Sequence, residues 1–299
     1  MSLVRSALGA AATAVDGTVA WGEMAVGDLV HLRRTLDGND IDAWDPDYIR
    51  RVLPLWRAAM STYFRGEVRG LDNIPDSGAA LLVGNHSGGT MIADTFVFAT
   101  AFYTRFGPDR RFHQLAHDIA ARMPATGISR WGTVAASHEN ARKAFDKGAP
   151  VLVYPGGDHE TFRPTWHSDR IEFGGRKGFI KLALERGVPI VPVVAVGGQE
   201  TALFLTRGER AAKLTGWAKL TRIKVLPVTL APPFGLSVLD LPPRLPLPAK
   251  ITVEVLPPID LAERFGPNPE HGDVYDEITG DMQEALSELQ DERTLPVIG

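Results

Sequence analysis

The chain has 299 residues, of which 44% are hydrophobic and 23% charged, and this composition is typical of a globular protein with a large core. A net charge of −4 gives no general attraction to nucleic acid, and we expect no nucleic-acid partner. The sequence contains no cysteine, which excludes disulfides, thiolate metal sites and a cysteine nucleophile. This favours a reducing compartment, so we expect a cytoplasmic protein.

The two ends of the chain are predicted to be helical. Residues 1–65 are interpreted as an N-terminal helical segment, whose first apolar stretch is too short and too weakly hydrophobic to span a membrane. Asp45 followed by Pro46 is a helix N-cap with proline at the first helical position, which predicts a helix over residues 46–65. Residues 66–299 are predicted to form one domain that ends in a charged amphipathic helix.

Strands and helices are predicted to alternate from residue 79 to residue 197. The predicted strands cover 79–83, 112–115, 150–154 and 188–196, and the predicted helices cover 90–105, 138–147 and 178–186. This alternation predicts a single α/β domain with a mostly parallel central sheet flanked by helices. Functional sites in such sheets lie at the carboxyl ends of the strands.

One such strand end carries a histidine. His86 follows the strand over residues 79–83, the glycine turn Gly88-Gly89 comes next, and Asp94 lies in the first turns of the following helix. A strand that delivers a polar residue onto a tight turn before a helix is typical of a catalytic site in an α/β protein. The alternative is a core strand that ends in a solvated histidine.

A second strand ends in Pro155-Gly156-Gly157. Glycines let a ligand approach the backbone N–H groups closely, and Glu160 and Arg163 follow within two turns. His159 also lies here, and we interpret it as a residue that flanks the site rather than one that assists the chemistry. The alternative is an ordinary glycine turn with solvated charges.

Several basic residues are candidates for binding a phosphate or another anion. A glycine-rich loop with two cations opens the helix over residues 178–186, a pattern that favours an anion but fits neither a P-loop nor a dinucleotide fingerprint. A solvated loop is the alternative. The candidate cations are Arg130, Arg163, Arg176 and Lys177.

No metal is predicted. His113 and His117 are four residues apart, a spacing that could ligate a metal on a helix. A third ligand is not evident, and His113 falls in a predicted strand.

Three blocks of sequence together resemble a known family. Asn85-His86 after one strand, Tyr154-Pro155-Gly156-Gly157 after another, and the Val-Pro-Ile-Val-Pro-Val run at 188–193 follow the order and spacing of the glycerolipid acyltransferases. Residues 66–260 thus resemble the lysophospholipid acyltransferase-like enzymes, including the lysophosphatidic acid acyltransferases. The resemblance implies transfer of a fatty acyl group from acyl-CoA or an acyl carrier protein to a hydroxyl of a glycerolipid. It also implies a peripheral position on the inner face of the cell membrane and no cofactor beyond acyl-CoA as co-substrate.

The sequence departs from the family pattern at two acids. The family has an aspartate at the fifth position after the histidine, where this chain has Met91, and Asp94 is the nearest acid. The extra residues of the glycine loop could restore Asp94 to the missing place. The family's Phe-Pro-Glu-Gly has Gly156 at its glutamate position, and Pro-Gly-Gly is closer to the diacylglycerol acyltransferase branch. There Glu160 would be the matching acid.

Acyl transfer to a hydroxyl requires a base, and we assign that role to His86. Asp94 is the first choice for the carboxylate beside it and Glu160 the second. Backbone N–H groups near Gly88-Gly89 or near Gly156-Gly157 could bind the oxyanion.

Several other functions stay open. The acceptor could be neutral, such as diacylglycerol or a long-chain alcohol. A hydrolase could use Ser87 or an activated water, and a lipid-binding protein without catalysis could keep the same pocket.

The stretch from residue 201 to residue 247 mixes cations and apolar residues. We predict a helix over 201–224 and a proline-rich apolar run after it. Either the helix is exposed and the proline run is packed, or the stretch contacts anionic lipid with Phe204, Trp217 and Leu220 at the interface.

Overall fold

The computed structural model describes residues 37–122, 127–217, 224–240, 244–295 and 297–298. The helical prediction for residues 1–36 therefore lies outside the described residues. None of the described helices is both long enough and apolar enough to cross a membrane.

The described helices and strands are, in chain order, α1 (Pro46–Thr62), β1 (Glu67–Arg69), β2 (Leu81–Gly84), α2 (Ala93–Phe106), β3 (His113–Ala116), α3 (Asp118–Ala121), β4 (Thr133–Ala135), α4 (His138–Asp146), β5 (Val151–Val153), α5 (Gly157–Thr161), α6 (Gly178–Arg186), β6 (Ile190–Val196), β7 (Leu203–Thr206), α7 (Glu209–Leu214), β8 (Val228–Ala231), β9 (Gly235–Val238), β10 (Thr252–Val255), α8 (Leu261–Phe265) and α9 (His271–Asp291).

Local capping defines several helix ends that the sequence predicts. The Asp45 side chain accepts a hydrogen bond from the Tyr48 N–H at 2.9 Å, at the start of α1. Ser137 caps α4 in the same way, with its Oγ 3.0 Å from the Asn140 N–H. Helix α6 ends at Gly187, whose φ of +58° is the left-handed conformation that favours glycine at a helix C-terminus.

The central sheet has seven strands in the order β1-β10-β6-β2-β5-β3-β4. All neighbouring pairs run parallel except β10 and β6, which are antiparallel. The prediction of an α/β fold with a mostly parallel sheet is confirmed. Strand β2, which leads to His86, lies between β5 and β6 near the middle of the sheet.

Alternate residues of the buried strands face two separate apolar cores, as the period of a strand requires. Leu82 and Leu152 pack with α1 and α2 on one face, whereas Leu81 and Val151 pack with α4, α6 and α9 on the other. The sheet thus forms the middle of three layers, and burial on both faces fixes the register of β2 and β5.

The predicted helix over residues 201–224 is wrong in its first part. Residues 203–206 form strand β7, which pairs with β8 and β9 in a second, three-stranded sheet. Helix α7 begins only after Gly208, whose φ is +63°. The sequence Leu203-Phe204-Leu205 has an apolar residue at every position, and tertiary pairing with β8 selects the extended form.

Candidate active site

Three neighbouring parallel strands end at one place. Strands β5, β2 and β6 lead at their carboxyl ends to Tyr154, to Asn85-His86 and to Gly197 respectively. The Asn85 amide donates to the Ala195 carbonyl at 2.9 Å and accepts from the Ala195 N–H at 2.7 Å. Asn85 therefore fixes the chain to β6, and His86 is the first side chain beyond this anchor.

His86 and Asp94 lie side by side. The His86 Nδ1 is 3.6 Å from the Asp94 Oδ2, just beyond hydrogen-bond distance. This Nδ1 is buried and has no hydrogen-bond partner, while the His86 side chain as a whole is 13% exposed. The accessible part of the ring is therefore not Nδ1, and Nε2 remains the nitrogen that could meet a substrate.

The Asp94 carboxylate is buried among donors. Its Oδ2 accepts from the Ser87 N–H at 3.0 Å and the Ser87 hydroxyl at 3.1 Å, and its Oδ1 accepts from the Thr95 N–H at 2.7 Å. The glycine turn thus brings Asp94 to the histidine although Asp94 lies three positions beyond Met91. The Ser87 hydroxyl donates to Asp94 and not to His86, which does not favour Ser87 as a nucleophile.

Tyr154 supports the imidazole from one face. The two rings are stacked with centroids 4.1 Å apart and planes inclined by 13°. The Tyr154 hydroxyl is hydrogen-bonded to Thr95 Oγ1 at 2.8 Å. A Cβ at Gly84 would approach the Tyr154 ring to 2.6 Å, so the glycine that ends β2 makes room for the stack.

Glu160 contacts the backbone of His86 rather than its ring. Its Oε2 accepts from the His86 N–H at 2.9 Å, and its Oε1 accepts from the Glu172 N–H at 2.9 Å. Burial raises the pKa of the Glu160 carboxyl to about 7, although Arg163 acts in the opposite direction. A Cβ at Gly156 would overlap this carboxyl, so the Pro-Gly-Gly turn provides the space that Glu160 occupies.

Two of the predicted anion-binding cations are used within the protein. Arg163 is 1% exposed, and its Nη1 donates to the His86 carbonyl at 2.9 Å. The Arg176 Nη1 donates to the carbonyls of Pro155 and Gly156 at 2.9 and 2.7 Å. Both guanidinium groups hold the turns of the site in place.

The two other cations have aromatic partners. Lys177 lies 5.9 Å from the centre of the Tyr275 ring, and the Arg130 guanidinium lies 4.7 Å from that of Tyr48.

Residues from the second sheet and its flanks hold the glycine turn. The Gly88 N–H donates to Gln199 Oε1 at 3.1 Å, and the Gly88 carbonyl accepts from Arg244 Nη2 at 2.5 Å. The Thr90 N–H and hydroxyl both donate to Asp240, which is itself ion-paired with Arg244 at 2.5 Å. The loop after His86 is therefore closed by a buried polar cluster.

Several N–H groups expected near an oxyanion are occupied in this structure. Those of Gly88, Gly89 and Gly157 donate to Gln199, Thr161 and Tyr154 respectively. Oxyanion binding by these three would require a rearrangement of the turns.

The remaining histidines lie in other environments. His113 is fully buried, its Nδ1 is 3.0 Å from the Gly132 carbonyl oxygen, and burial lowers its pKa to about 4. His159 pairs with Glu209 at 3.0 Å beside the Pro-Gly-Gly turn. Within the ranges given above, no group of three or more His, Asp or Glu side chains could hold a metal ion.

Sequence reasoning missed four residues that shape the site: Tyr154 as a stacking partner, Gln199, Asp240 and Arg244. Tyr154 directly precedes the Pro-Gly-Gly block, and this position in the sequence could have indicated that it belongs to the site. Asp240 lies 150 positions from Thr90, and no local pattern links the two.

Comparison with known proteins finds a matching family model and several relatives. Residues 65–196 match the model of the family described as Acyltransferase. An uncharacterized protein of Mycobacterium tuberculosis is 29% identical over 263 residues, which cover 86% of this chain and 70% of that protein. A Bos taurus protein named "DGAT1/2-independent enzyme synthesizing storage lipids" is 25% identical over 146 residues, covering 48% of this chain and 42% of the relative.

The fold also has a solved counterpart. The crystal structure of the 1-acyl-sn-glycerophosphate (LPA) acyltransferase PlsC from Thermotoga maritima aligns with a TM-score of 0.51 and 15% identity, over 83% of this chain and 81% of that one. The matched segment 65–196 contains β2, the His86 turn, Asp94, the Pro-Gly-Gly turn and β6. The resemblance seen in the sequence is confirmed, because the family model, the relatives and the fold all support similarity to the glycerolipid acyltransferases.

Proposed function

We propose that this protein is a membrane-peripheral O-acyltransferase that moves a fatty acyl group from acyl-CoA, or from an acyl carrier protein, to a hydroxyl of a glycerolipid such as lysophosphatidate. It would act in the cytoplasm, on the inner face of the cell membrane. The observation that carries this proposal is the buried carboxylate of Asp94 beside the buried Nδ1 of His86, at the carboxyl end of β2.

His86 would act as the general base. With its proton on Nδ1, toward Asp94, the neutral imidazole presents Nε2 as an acceptor. The acceptor hydroxyl gives its proton to Nε2 as its oxygen attacks the thioester carbonyl carbon. The Asp94 carboxylate then stabilises the imidazolium and holds the ring in the required tautomer.

Collapse of the tetrahedral intermediate would complete the reaction. The carbon–sulfur bond breaks, the thiolate of CoA or of the carrier takes the proton from the imidazolium, and the ester and the neutral imidazole result. This route needs no acyl-enzyme. The hydrogen bond from the Ser87 hydroxyl to Asp94 supports such a direct transfer.

A neutral acceptor is the second candidate. Two observations favour it, namely the Pro-Gly-Gly turn with Glu160 folded over Gly156, and the similarity to a bovine protein whose name refers to storage lipids. Diacylglycerol or a long-chain alcohol would then replace the lysolipid, with the same base and the same donor.

Transfer of radiolabelled palmitate from palmitoyl-CoA tests both candidates. The acceptors to compare are glycerol phosphate, lysophosphatidate, other lysophospholipids, diacylglycerol and long-chain alcohols. We expect His86→Ala to abolish transfer while the chain stays folded, and His271→Ala, a histidine at the start of the remote helix α9, to leave transfer unchanged. Undiminished turnover in His86→Ala would contradict the mechanism.

Other products would indicate other classes of function. Release of free palmitate without any acceptor would indicate a hydrolase. Co-purification of lipid without turnover on any acceptor would indicate a lipid-binding protein.

A further inference from the structure

The three-stranded sheet β7-β8-β9 has one face against the protein. Phe204 is fully buried, Ala231 is 6% exposed, and both belong to a small apolar cluster with Phe162. Phe204 is therefore not available for the lipid contact that one of the two interpretations of this stretch gave it. Leu220, which the same interpretation placed at the interface, lies outside the described residues. In an antiparallel sheet with one packed face, the opposite face is ordinarily polar.

The opposite face of this sheet is instead apolar. Leu203 pairs with Leu230, and Leu230 pairs with Leu236, so three leucines form a row across the strands on one face. They are 38%, 44% and 65% exposed, and Val238, two positions from Leu236 on the same face, is 50% exposed. Phe234, in the hairpin between β8 and β9, is 54% exposed. A contiguous exposed apolar surface of this kind marks an interaction site.

The charge of this region has the opposite sign from the rest of the chain. Residues 201–250 contain eight Lys and Arg against two Asp and Glu, whereas the remaining residues contain 24 against 34. One of the two acids, Asp240, is buried in its ion pair with Arg244. Arg210, Lys213 and Lys224 are exposed. An apolar surface in a region rich in exposed cations complements a surface that is both apolar and anionic.

The same region adjoins the histidine. Asp240, two residues beyond the end of β9, binds Thr90 in the loop after His86, and Arg244 binds the Gly88 carbonyl. The small sheet and the segment after it are therefore linked by buried hydrogen bonds to the loop that follows the candidate base.

We propose that the outer face of the sheet β7-β8-β9, formed by Leu203, Leu230, Leu236, Val238 and Phe234, docks on an anionic lipid bilayer. Exposed cations of the same region face the headgroups in this arrangement. The proposal rests on the proposed function for its link to a lipid substrate, but docking is measured without any substrate.

Co-sedimentation with vesicles tests the surface. The full chain is mixed with vesicles of phosphatidylcholine alone and with vesicles containing phosphatidylglycerol. Leu236→Ser removes the most exposed leucine of the row, and Leu55→Ser, a leucine of α1 that is 73% exposed, is the matched control. Lys213→Gln tests the charge, with Lys143→Gln on α4 as its control.

We expect the wild-type chain to bind phosphatidylglycerol vesicles more tightly than neutral ones. Leu236→Ser should weaken the partition coefficient by about tenfold, because its side chain leaves the bilayer. Lys213→Gln should weaken it by about fivefold on anionic vesicles only. Both control variants should bind as the wild type does.

Three results would overturn the proposal: a wild-type chain that does not bind anionic vesicles, an equal loss in Leu55→Ser, or a dimer that Leu236→Ser dissociates without lipid. The last result would assign the face to a second copy of the chain. Palmitate transfer in detergent micelles, measured on the same preparations, separates the two proposals. Transfer without vesicle binding contradicts the docking surface and the peripheral membrane position but leaves the acyl-transfer reaction in place. Vesicle binding that depends on Leu236 without transfer supports the docking surface while contradicting the acyl-transfer reaction.

Discussion

The His86 imidazole lies against the Tyr154 phenol ring, with centroids 4.1 Å apart and nearly parallel planes. The tyrosine hydroxyl is bonded to Thr95, the residue next to Asp94. One side chain therefore supports the ring of the candidate base and contacts the segment that carries its carboxylate. Tyr154 acts as a positioning residue in this arrangement, because it stacks on the imidazole and is hydrogen-bonded to Thr95.

Two replacements of Tyr154 distinguish the effect of ring stacking on kcat from the effect of the hydrogen bond to Thr95. Tyr154→Phe keeps the aromatic face, and we expect its kcat to stay within about threefold of the wild-type value, whereas Tyr154→Leu should lower kcat by about tenfold because the imidazole loses a planar support. Steady-state kinetics with palmitoyl-CoA give both values, and urea unfolding controls for stability. Equal kcat values in the two variants would contradict a role for the stack.

The two carboxylates near His86 should have unequal effects on activity. Asp94→Asn keeps the size of the side chain but removes the negative charge beside Nδ1, and we expect kcat to fall by at least about 10². Glu160→Gln keeps an oxygen that can accept from the His86 N–H, so we expect a smaller loss. Transfer assays on both variants decide the order. A larger loss in Glu160→Gln would move the acid role to the Pro-Gly-Gly turn.

Glu160 should make folding stability depend on pH. Its pKa rises from the ordinary 4.5 to about 7 on folding, so between these values the folded chain keeps a proton that the unfolded chain has lost. Stability from this group is fully present below about pH 4.5 and is lost as the pH rises through about 7, a change on the order of 3 kcal/mol.

Comparison of Glu160→Gln with the wild type tests this pH dependence, because glutamine does not titrate. We expect the free energy of unfolding of this variant to fall less than that of the wild type between about pH 5 and about pH 8, by urea denaturation. Parallel pH profiles for the two proteins would show that Glu160 does not titrate in this range.

The Asp240–Arg244 pair should connect the second sheet to the His86 turn. Arg244→Met leaves the Asp240 carboxylate buried without its cation, and loss of one partner of a buried pair costs about 3–5 kcal/mol. We expect a loss of that order in urea unfolding, together with lower transfer activity because the Gly88 carbonyl loses its donor and Asp240, which binds Thr90, loses its cation. The double variant Arg244→Met/Asp240→Asn should recover part of the stability, and a double variant as unstable as the sum of its single variants would contradict coupling between the two residues.

The sequence by itself determined the alternating strands and helices, the mostly parallel sheet and the two turns at its carboxyl edge. These features follow from local information, since apolar periodicity, capping residues such as Asp45 and Ser137, and glycine at turns each act within a few residues. The blocks at His86 and at Pro155 also sufficed to indicate the family.

Only the tertiary structure decided where the two carboxylates lie relative to His86. It places Asp94 beside the His86 ring and Glu160 on the His86 backbone N–H, a distinction that spacing alone left open. In the tertiary structure residues 203–206 form a strand, and Asp240 binds Thr90, which lies 150 positions away in the sequence. Burial, cross-strand pairing and a buried ion pair are made between distant segments, so their energies cannot be read from either segment alone.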